Sequence, residues 1–393
     1  MSGSPDARAM RPPPTSHRRP VFFWIVVATG VVMLALHAFA WASALRRKDQ
    51  VISLGWHKRT EGSADIVSAV DVGSPAAGRL EVGDRVLAID GTPAPEGYMQ
   101  IFVRRLEDPY SVLVRRGDDV RQVRLWLAIT SEPGHFRRQV LPYLVASMAF
   151  GLVGIVVGLL RPDSRIAHLL FAAFLAASVE ELQRGFVGSV LDFASLVGGE
   201  RVFAVLLAMV WPFSLVVIYH FFSEVPTGQV PGPGWTRLRA ILYGGAVLLW
   251  GPNLFVALFF ADRLRWMVGR AGQFRMVAAR MGLYIVASSV FEAAVLVATA
   301  AVLVANYRRV RDPDQARRLR WVVFGCVLAL TPAVPAILFH ASSQTIGLPG
   351  LGLRRVVNTF AVWSPILIPL TFAHAVLRHQ LLDVHVVIRR GVQ

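Results

Sequence analysis

The chain has 393 residues, of which 54% are hydrophobic and only 17% are charged, and its mean hydropathy is +0.51. This composition is typical of proteins built largely for lipid and argues against a soluble cytosolic enzyme. The net charge is +16, but the arginines stand in short clusters between long apolar runs. That pattern indicates membrane flanks and no nucleic-acid partner. One cysteine, Cys326, provides neither a disulfide framework nor a cysteine-based metal site.

The N-terminal region contains a tail and a first apolar run. Residues 1–20 are small, proline-rich and basic, which predicts a disordered cytoplasmic tail. The run 21–45 is longer than the apolar part of a signal peptide and predicts an uncleaved transmembrane anchor. The alternative is a cleaved leader, because Ala42-Ser43-Ala44 imitates a cleavage site.

Residues 50–130 differ from the rest of the chain. Apolar and charged residues alternate there in short segments such as 65–70, 85–89 and 120–125, with turn residues between them. Alternation of this kind predicts strands. We therefore expect a small αβ domain inserted after the first span.

Seven further apolar runs follow, each close to the ~20 residues that cross a bilayer as a helix. They cover 139–160, 166–183, 201–223, 238–260, 282–305, 321–340 and 356–377. With the anchor, the predicted fold class is a polytopic α-helical membrane protein of about eight transmembrane helices, seven of them in a bundle over 139–377. The run 166–183 is the least secure, because Glu180, Glu181 and Arg184 interrupt it.

The arginine clusters predict the orientation. The densest cluster lies in one short loop and contains Arg308, Arg309, Arg311, Arg317, Arg318 and Arg320. A cytoplasmic N-terminus places this loop inside, as the positive-inside rule requires. The αβ domain then faces outward and both termini are cytoplasmic, in a bacterial inner membrane.

The stretch 72–93, VGSPAAGRLEVGDRVLAIDGTP, closely resembles the core of PDZ domains. In physical terms, Ser74 is expected to cap a short helix that begins at Pro75, because serine is a good N-cap and proline suits the first helical turn. Gly83-Asp84 is expected to turn the chain into a strand, and Asp90-Gly91 to close it with a turn of positive φ.

The PDZ resemblance implies a groove in which a partner's C-terminal peptide adds as an extra strand. The helix over 95–106 forms one wall of this groove, with lining residues Tyr98, Ile101 and Phe102. The resemblance places the carboxylate-binding loop at Leu54, Gly55 and Trp56. The polar insert 57–63 departs from a compact binding edge. Two interpretations stay open, a peptide-binding domain and a PDZ fold that binds no terminal peptide.

Residues 139–393 resemble the multispan sensor region of bacterial PDZ-containing sensor histidine kinases and phosphatase regulators. The most specific part is 371–391, TFAHAVLRHQLLDVHVVIRRG, with support from 161–165, 220–226 and 307–321. The resemblance implies a homodimer and a cytoplasmic signalling partner. It also implies a signal output helix that leaves the last span and continues through 378–393. Its candidate residues are Leu377, Arg378, Leu382 and Asp383.

The sequence predicts no enzymatic activity for this chain. A kinase or phosphatase domain needs on the order of 100 residues, and few follow Arg390. A membrane metalloprotease needs a His-Glu-x-x-His helix, which is missing. We expect no catalytic residue, cofactor or metal, and an effector outside this chain.

Ionisable residues within apolar runs are the remaining candidates, because a charge in hydrocarbon is unfavourable without a partner. Those selected are Glu292, Glu180, Glu181 and His220. Glu292 is either a hydrogen-bonded contact between helices or a ligand or proton sensor. Glu180 and Glu181 are expected near the interface with Arg184 as partner, and His220 is expected to pair with Glu224.

The functional hypothesis is a sensory input module in contact with membrane lipid. It detects a peptide, a protein or a lipophilic ligand and passes the signal to a cytoplasmic effector. The alternative is a PDZ membrane scaffold without signalling, or a transport-type protein.

Overall fold

The computed structural model describes residues 18–61, 64–101, 108–189, 199–225, 230, 232–259, 271–345 and 360–379. Most of this structure is helical, and a small sheet region follows the first helix. The helices are α1 (Arg18–Arg46), α2 (Ala94–Ile101), α3 (Leu141–Leu160), α4 (Arg165–Ser189), α5 (Gly199–Glu224), α6 (Pro233–Phe259), α7 (Ala271–Arg309), α8 (Pro313–Thr345) and α9 (Leu367–His379). The strands are β1 (Gln50–Ser53), β2 (Trp56–Glu61), β3 (Ala64–Val70), β4 (Arg85–Ile89), β5 (Thr92–Pro93), β6 (Tyr110–Arg116), β7 (Asp119–Leu125) and β8 (Ala128–Ser131).

Five of the described helices are long and apolar enough to cross a membrane. They cover Val21–Arg46, Phe136–Leu160, Arg165–Phe186, Val286–Arg309 and Leu319–Ala336. The helical membrane-protein character predicted from composition is therefore confirmed at this coarser level. The run 166–183 is among the five, although two glutamates and an arginine interrupt it. Shorter apolar helices cover Phe213–Glu224 and Phe360–Val376.

The strands form two antiparallel units. β1 pairs with β8 in a ribbon, and the main sheet has the order β2-β3-β4-β6-β7 with β5 added to β4. β2 therefore lies at one edge, and its pairing with β3 shifts register between His57 and Lys58. The core of the main sheet contains Val67, Leu80, Ile89, Val112 and Leu125.

The predicted turns differ in their outcome. Asp90 (φ 50°) and Gly91 (φ 76°) make the positive-φ turn between β4 and β5, so that prediction is confirmed. The prediction of a short helix after Ser74 was wrong, because the chain forms hydrogen-bonded turns there as far as Leu80. The Ser74 hydroxyl caps no helix and donates to the carbonyl oxygen of Gly55 at 2.8 Å.

The ribbon connects the sheet to the helices. β1 follows α1, and β8 leads through a π-helical turn, Phe136–Val140, into α3. Asp49 strengthens this connection, because its carbonyl oxygen accepts from Glu132 N and its carboxylate from Phe136 N. Both ends of the sheet region thus continue into helices, and α1 and α3 pack against each other.

At the other end of α3, four helices of the bundle meet. Glu224, at the end of α5, accepts from Arg165 at the start of α4 and from Arg239 near the start of α6. Asn306, near the end of α7, donates to the carbonyl oxygens of Phe222 and Ser223. The arginine-rich loop after α7 therefore lies at the end of the bundle away from the sheet.

Candidate functional site

The groove that the PDZ resemblance implies corresponds to the space between edge strand β2 and helix α2. Trp56 on β2 and Tyr98 on α2 pack there as tilted rings, with centroids 5.9 Å apart. The Lys58 ammonium lies 3.6 Å above the Tyr98 ring and 2.9 Å from the carboxylate of Asp65. A lysine side chain that is paired with a buried aspartate therefore occupies this space.

The predicted lining residues are mostly in the core. Trp56 and Tyr98 are 3% and 7% exposed, and Ile101 is fully buried. Leu54 is half-buried and packs against the same core, and Phe102 lies outside the described residues. The predicted residues that the structure describes lie in or beside β2 and α2, but their side chains pack in the core of the sheet and form no open wall.

Two tyrosines of this core stay neutral over the physiological range. Burial, reinforced by the nearby Asp65 carboxylate, raises the pKa of Tyr98 above its usual value. Burial also raises the pKa of Tyr110 to about 12. Neither phenol can therefore serve as a base or an anion at neutral pH.

The loop before β2 is held by its own hydrogen bonds. Gly55 has φ +77°, and a Cβ there would lie 2.5 Å from the Cβ of Ser74, so only glycine fits. Its N–H donates to the Ser53 hydroxyl at 2.9 Å, and its carbonyl accepts from the Asp71 N–H at 2.8 Å. The Gly55 N–H is thus already bonded within the protein.

A carboxylate also stands beside this loop. Asp71 accepts from the Ser53 hydroxyl at 3.1 Å and pairs with His57 at 3.0 Å. Its negative charge opposes the approach of a peptide C-terminus, whose carboxylate carries the same sign.

The structure contains a further ion pair in the sheet that sequence patterns did not indicate. The Asp84 carboxylate is buried, and the Arg116 guanidinium donates to both of its oxygens at 2.8 Å. Burial alone raises the pKa of Asp84, but the hydrogen bonds and charge of Arg116 outweigh it and the net shift is downward. The two residues are 32 positions apart, so no local pattern connects them.

A second polar group lies among the long helices. Glu180 on α4 accepts from Arg184 at 2.5 Å through one oxygen and from the Ser214 hydroxyl of α5 through the other. Glu181 is also buried, and its nearer oxygen is 3.9 Å from Arg184. Its second oxygen has no hydrogen-bond partner among the described residues.

Glu292 on α7 belongs to the same region, because it interacts electrostatically with Arg184 and Glu180. Its side chain is half-buried. The structure therefore brings together three of the four selected intramembrane residues around one arginine. Three carboxyl groups with a single guanidinium leave an excess of acid, which protons or a cation must offset in a low-dielectric region.

His220, the fourth selected residue, lies elsewhere in the bundle. Its Nε2 is 3.3 Å from Glu224 and its Nδ1 is 3.2 Å from the Tyr243 hydroxyl. Glu224 is 2% exposed, and one of its oxygens interacts with His220, Arg165 and Arg239. This arrangement joins α4, α5 and α6 and is a structural contact.

The proposed output helix is only partly described. Leu377 and Arg378 belong to α9, but the structure describes only their backbone, and Leu382 and Asp383 lie outside the described residues. The described part of α9 packs into the bundle, where Phe372 contacts Phe174 of α4 with ring centroids 5.0 Å apart.

No group of three or more histidine, cysteine, aspartate or glutamate side chains is placed to hold a metal ion in the described part of the chain. Comparisons with protein-family models, curated proteins and solved structures found no match.

Proposed function

We propose that this protein is a membrane-embedded sensory input module. Its sheet is a PDZ-like domain on the outer face of a bacterial inner membrane, and about eight helices span the bilayer. The domain and the bundle detect a peptide, a protein or a lipophilic ligand. α9 then carries the signal to a cytoplasmic effector outside these residues, in a homodimer with both termini inside.

The observation that carries this proposal is the double connection between sheet and bundle. The ribbon of β1 and β8 continues directly into α1 and α3, and α2 lies next to α7, the helix of Glu292. A displacement of the sheet therefore has two routes into the helices. A sensor requires such a connection, together with two arrangements whose balance the ligand changes.

The cluster of Glu180, Glu181, Glu292 and Arg184 supports the same proposal. Glu180, Arg184 and Ser214 link α4 to α5, and Glu292 adds α7. Polar contacts between helices in hydrocarbon are specific, because each alternative leaves a buried group without a partner. Such a contact gives the bundle a small number of discrete arrangements.

Excision of the sheet tests the proposal. Ser53 and Ala128 are directly paired, so an Asn-Gly turn in place of residues 54–127 closes the ribbon as a hairpin. Residues 1–390 with and without this change are fused to the transmitter of a two-component kinase. We expect excision to change kinase autophosphorylation at least about fivefold, the lower range of allosteric coupling.

The matched control exchanges Gly117-Asp118, the turn between β6 and β7, for the same Asn-Gly pair and keeps the sheet. Its output should equal that of the parent chimera. Equal output from the parent, the control and the excised chimera would contradict signalling through the sheet.

One observation favours a second candidate, a scaffold without signalling. Lys58 covers Tyr98, and the Gly55 N–H is already bonded, so terminal-peptide capture needs rearrangement. A scaffold would instead use the edge of β2, which pairs with no further strand among the described residues. Two results together would support this candidate. The outputs in the chimera test would be equal, and a partner that the full chain retains would be lost on excision of the sheet.

A further inference from the structure

A buried histidine that is not among the candidates selected from the sequence joins three helices. His37 of α1 is 7% exposed. Its Nδ1 lies 2.7 Å from the carbonyl oxygen of Met33, and its Nε2 lies 2.8 Å from the hydroxyl oxygen of Ser147 on α3. Both ring nitrogens therefore have close partners inside the protein.

Two serines extend this contact to α4. The Ser147 hydroxyl donates to the carbonyl oxygen of Ser178 at 2.6 Å, and the Ser178 hydroxyl donates to the carbonyl oxygen of Ser147 at 2.8 Å. Gly151 permits this close approach, because a Cβ at that position would lie 3.0 Å from the Ser178 hydroxyl oxygen. α1, α3 and α4 thus share one polar contact.

A neutral histidine leaves one of these four short contacts without a proton. A carbonyl oxygen only accepts, so Nδ1 carries its proton toward Met33, and the Ser178 hydroxyl can donate to the Ser147 carbonyl oxygen or to the Ser147 hydroxyl oxygen at 3.2 Å. The single proton of Ser147 then points either to Nε2 or to the Ser178 carbonyl oxygen. In the second case Nε2 and the Ser147 oxygen face each other at 2.8 Å with only lone pairs between them.

A proton on Nε2 completes all four short contacts. His37 then donates through both nitrogens, and Ser147 accepts from it while it still donates to α4. When this proton leaves, Ser147 must rotate its own proton toward Nε2 and release the carbonyl oxygen of Ser178. Protonation therefore reverses the hydrogen bond between His37 and Ser147 and adds one bond between α3 and α4.

We propose that His37, Ser147 and Ser178 form a proton-binding site that couples α1 to the contact between α3 and α4. The proton comes from water and returns to it, so no other reactant is needed. The proposal deepens the sensory function and rests on it, since it identifies a proton as one stimulus. α1 leads into the ribbon of β1 and β8, so the site lies on the route through the ribbon.

Among the described residues, no acidic side chain is paired with His37. α1 has no acidic residue, and the nearest ionisable groups along α3 and α4 are Tyr143, Glu180, Glu181 and Arg184. None of these groups forms a hydrogen bond or an ion pair with His37 in the described part of the chain. The Met33 carbonyl and the Ser147 hydroxyl oxygens hold the imidazolium, so its proton is sensitive to the arrangement of the helices.

Nitrogen NMR of the full chain tests the proposal directly. The protein is labelled with ¹⁵N-histidine, placed in lipid nanodiscs and titrated from about pH 8 to pH 5, the range in which histidine changes charge. His37→Gln identifies the His37 signals by their loss. We expect both ring nitrogens to be protonated at the acidic end and only Nδ1 at the alkaline end.

Two outcomes would overturn the proposal: His37 signals that do not change over this range, or a neutral form with the proton on Nε2. The first shows that Nε2 gains no proton in this range, and the second shows that Nδ1 does not carry the proton of the neutral form. Neither outcome depends on signalling. A His37 that titrates as expected in a chimera whose kinase output ignores pH would instead contradict the sensory function.

Serine variants supply matched controls and a second test if His37→Gln does not fold. Ser178→Ala removes a bond that both protonation states share, so the pH-dependent change in the Nε2 signal should remain. Ser147→Ala removes the partner of Nε2, so the signal of a hydrogen-bonded Nε2 proton should be lost. Identical His37 spectra in Ser147→Ala and the parent protein would also overturn the proposal.

Discussion

At the scale of single residues, the Asp84–Arg116 ion pair controls the acid stability of the sheet. Asp84→Asn removes the charged acceptor of two Arg116 hydrogen bonds, while Glu81 stays paired with Arg116, and should lower the free energy of unfolding by about 1–3 kcal/mol at pH 7. The folded-state pKa of Asp84 is below its unfolded value. Its stabilisation is therefore complete above the unfolded pKa of about 4 and is lost as the pH falls through the lower folded value.

Thermal unfolding of the detergent-solubilised protein at neutral and acidic pH measures this effect. The control is Asp119→Asn, because that aspartate is exposed and pairs only with a neighbouring arginine on the surface. It should change stability by less than about 1 kcal/mol. A difference between Asp84→Asn and the parent protein that stayed constant down to pH 3 would contradict the assigned role of the carboxylate.

Residue-scale prediction from sequence succeeded where the determining interactions are local. Asp90-Gly91 makes a positive-φ turn because those two residue types tolerate it, whatever the rest of the fold does. The partner of Asp84 is 32 positions away. His37 was also missed, because a single histidine in an apolar run shows nothing about the serines that meet it from other helices.

At the scale of elements, adjacent glycines in α6 distinguish a packed face from an open one. A Cβ at Gly245 would lie 2.5 Å from the ring of Phe291 on α7, whereas Gly244 has nothing within 4 Å. Gly245→Leu should therefore destabilise the protein by about 1–3 kcal/mol through overpacking. Gly244→Leu should leave the unfolding temperature nearly unchanged, and equal effects of the two would contradict the packing of α6 on α7.

The apolar runs predicted where the helices lie but not where they end. The run 282–305 lies within α7, which extends from Ala271 to Arg309, and 321–340 lies within α8, from Pro313 to Thr345. Hydropathy marks only the part that avoids water, while the backbone stays helical through polar flanks. The groove was harder to predict, because the burial of Trp56 and Tyr98 depends on how α2 packs on the sheet.

At the scale of the whole molecule, the proposed sensor has the sheet and the arginine-rich loop on opposite sides of the membrane. α3 begins at the ribbon and ends near the contacts of Glu224, so the fold separates the two regions by the length of that helix. The arginines assign the loop to the cytoplasm. A sensor of external stimuli needs this arrangement, whereas a sheet in the cytoplasm would require a different function.

Cysteine labelling in intact cells tests this claim most directly. In a Cys326→Ala background, Asp119→Cys places a thiol at the exposed start of β7, and Asp312→Cys places one in the arginine-rich loop. We expect a membrane-impermeant maleimide to label position 119 in intact cells and position 312 only after the inner membrane is permeabilised. Labelling of position 312 in intact cells, or protection of position 119, would contradict the account.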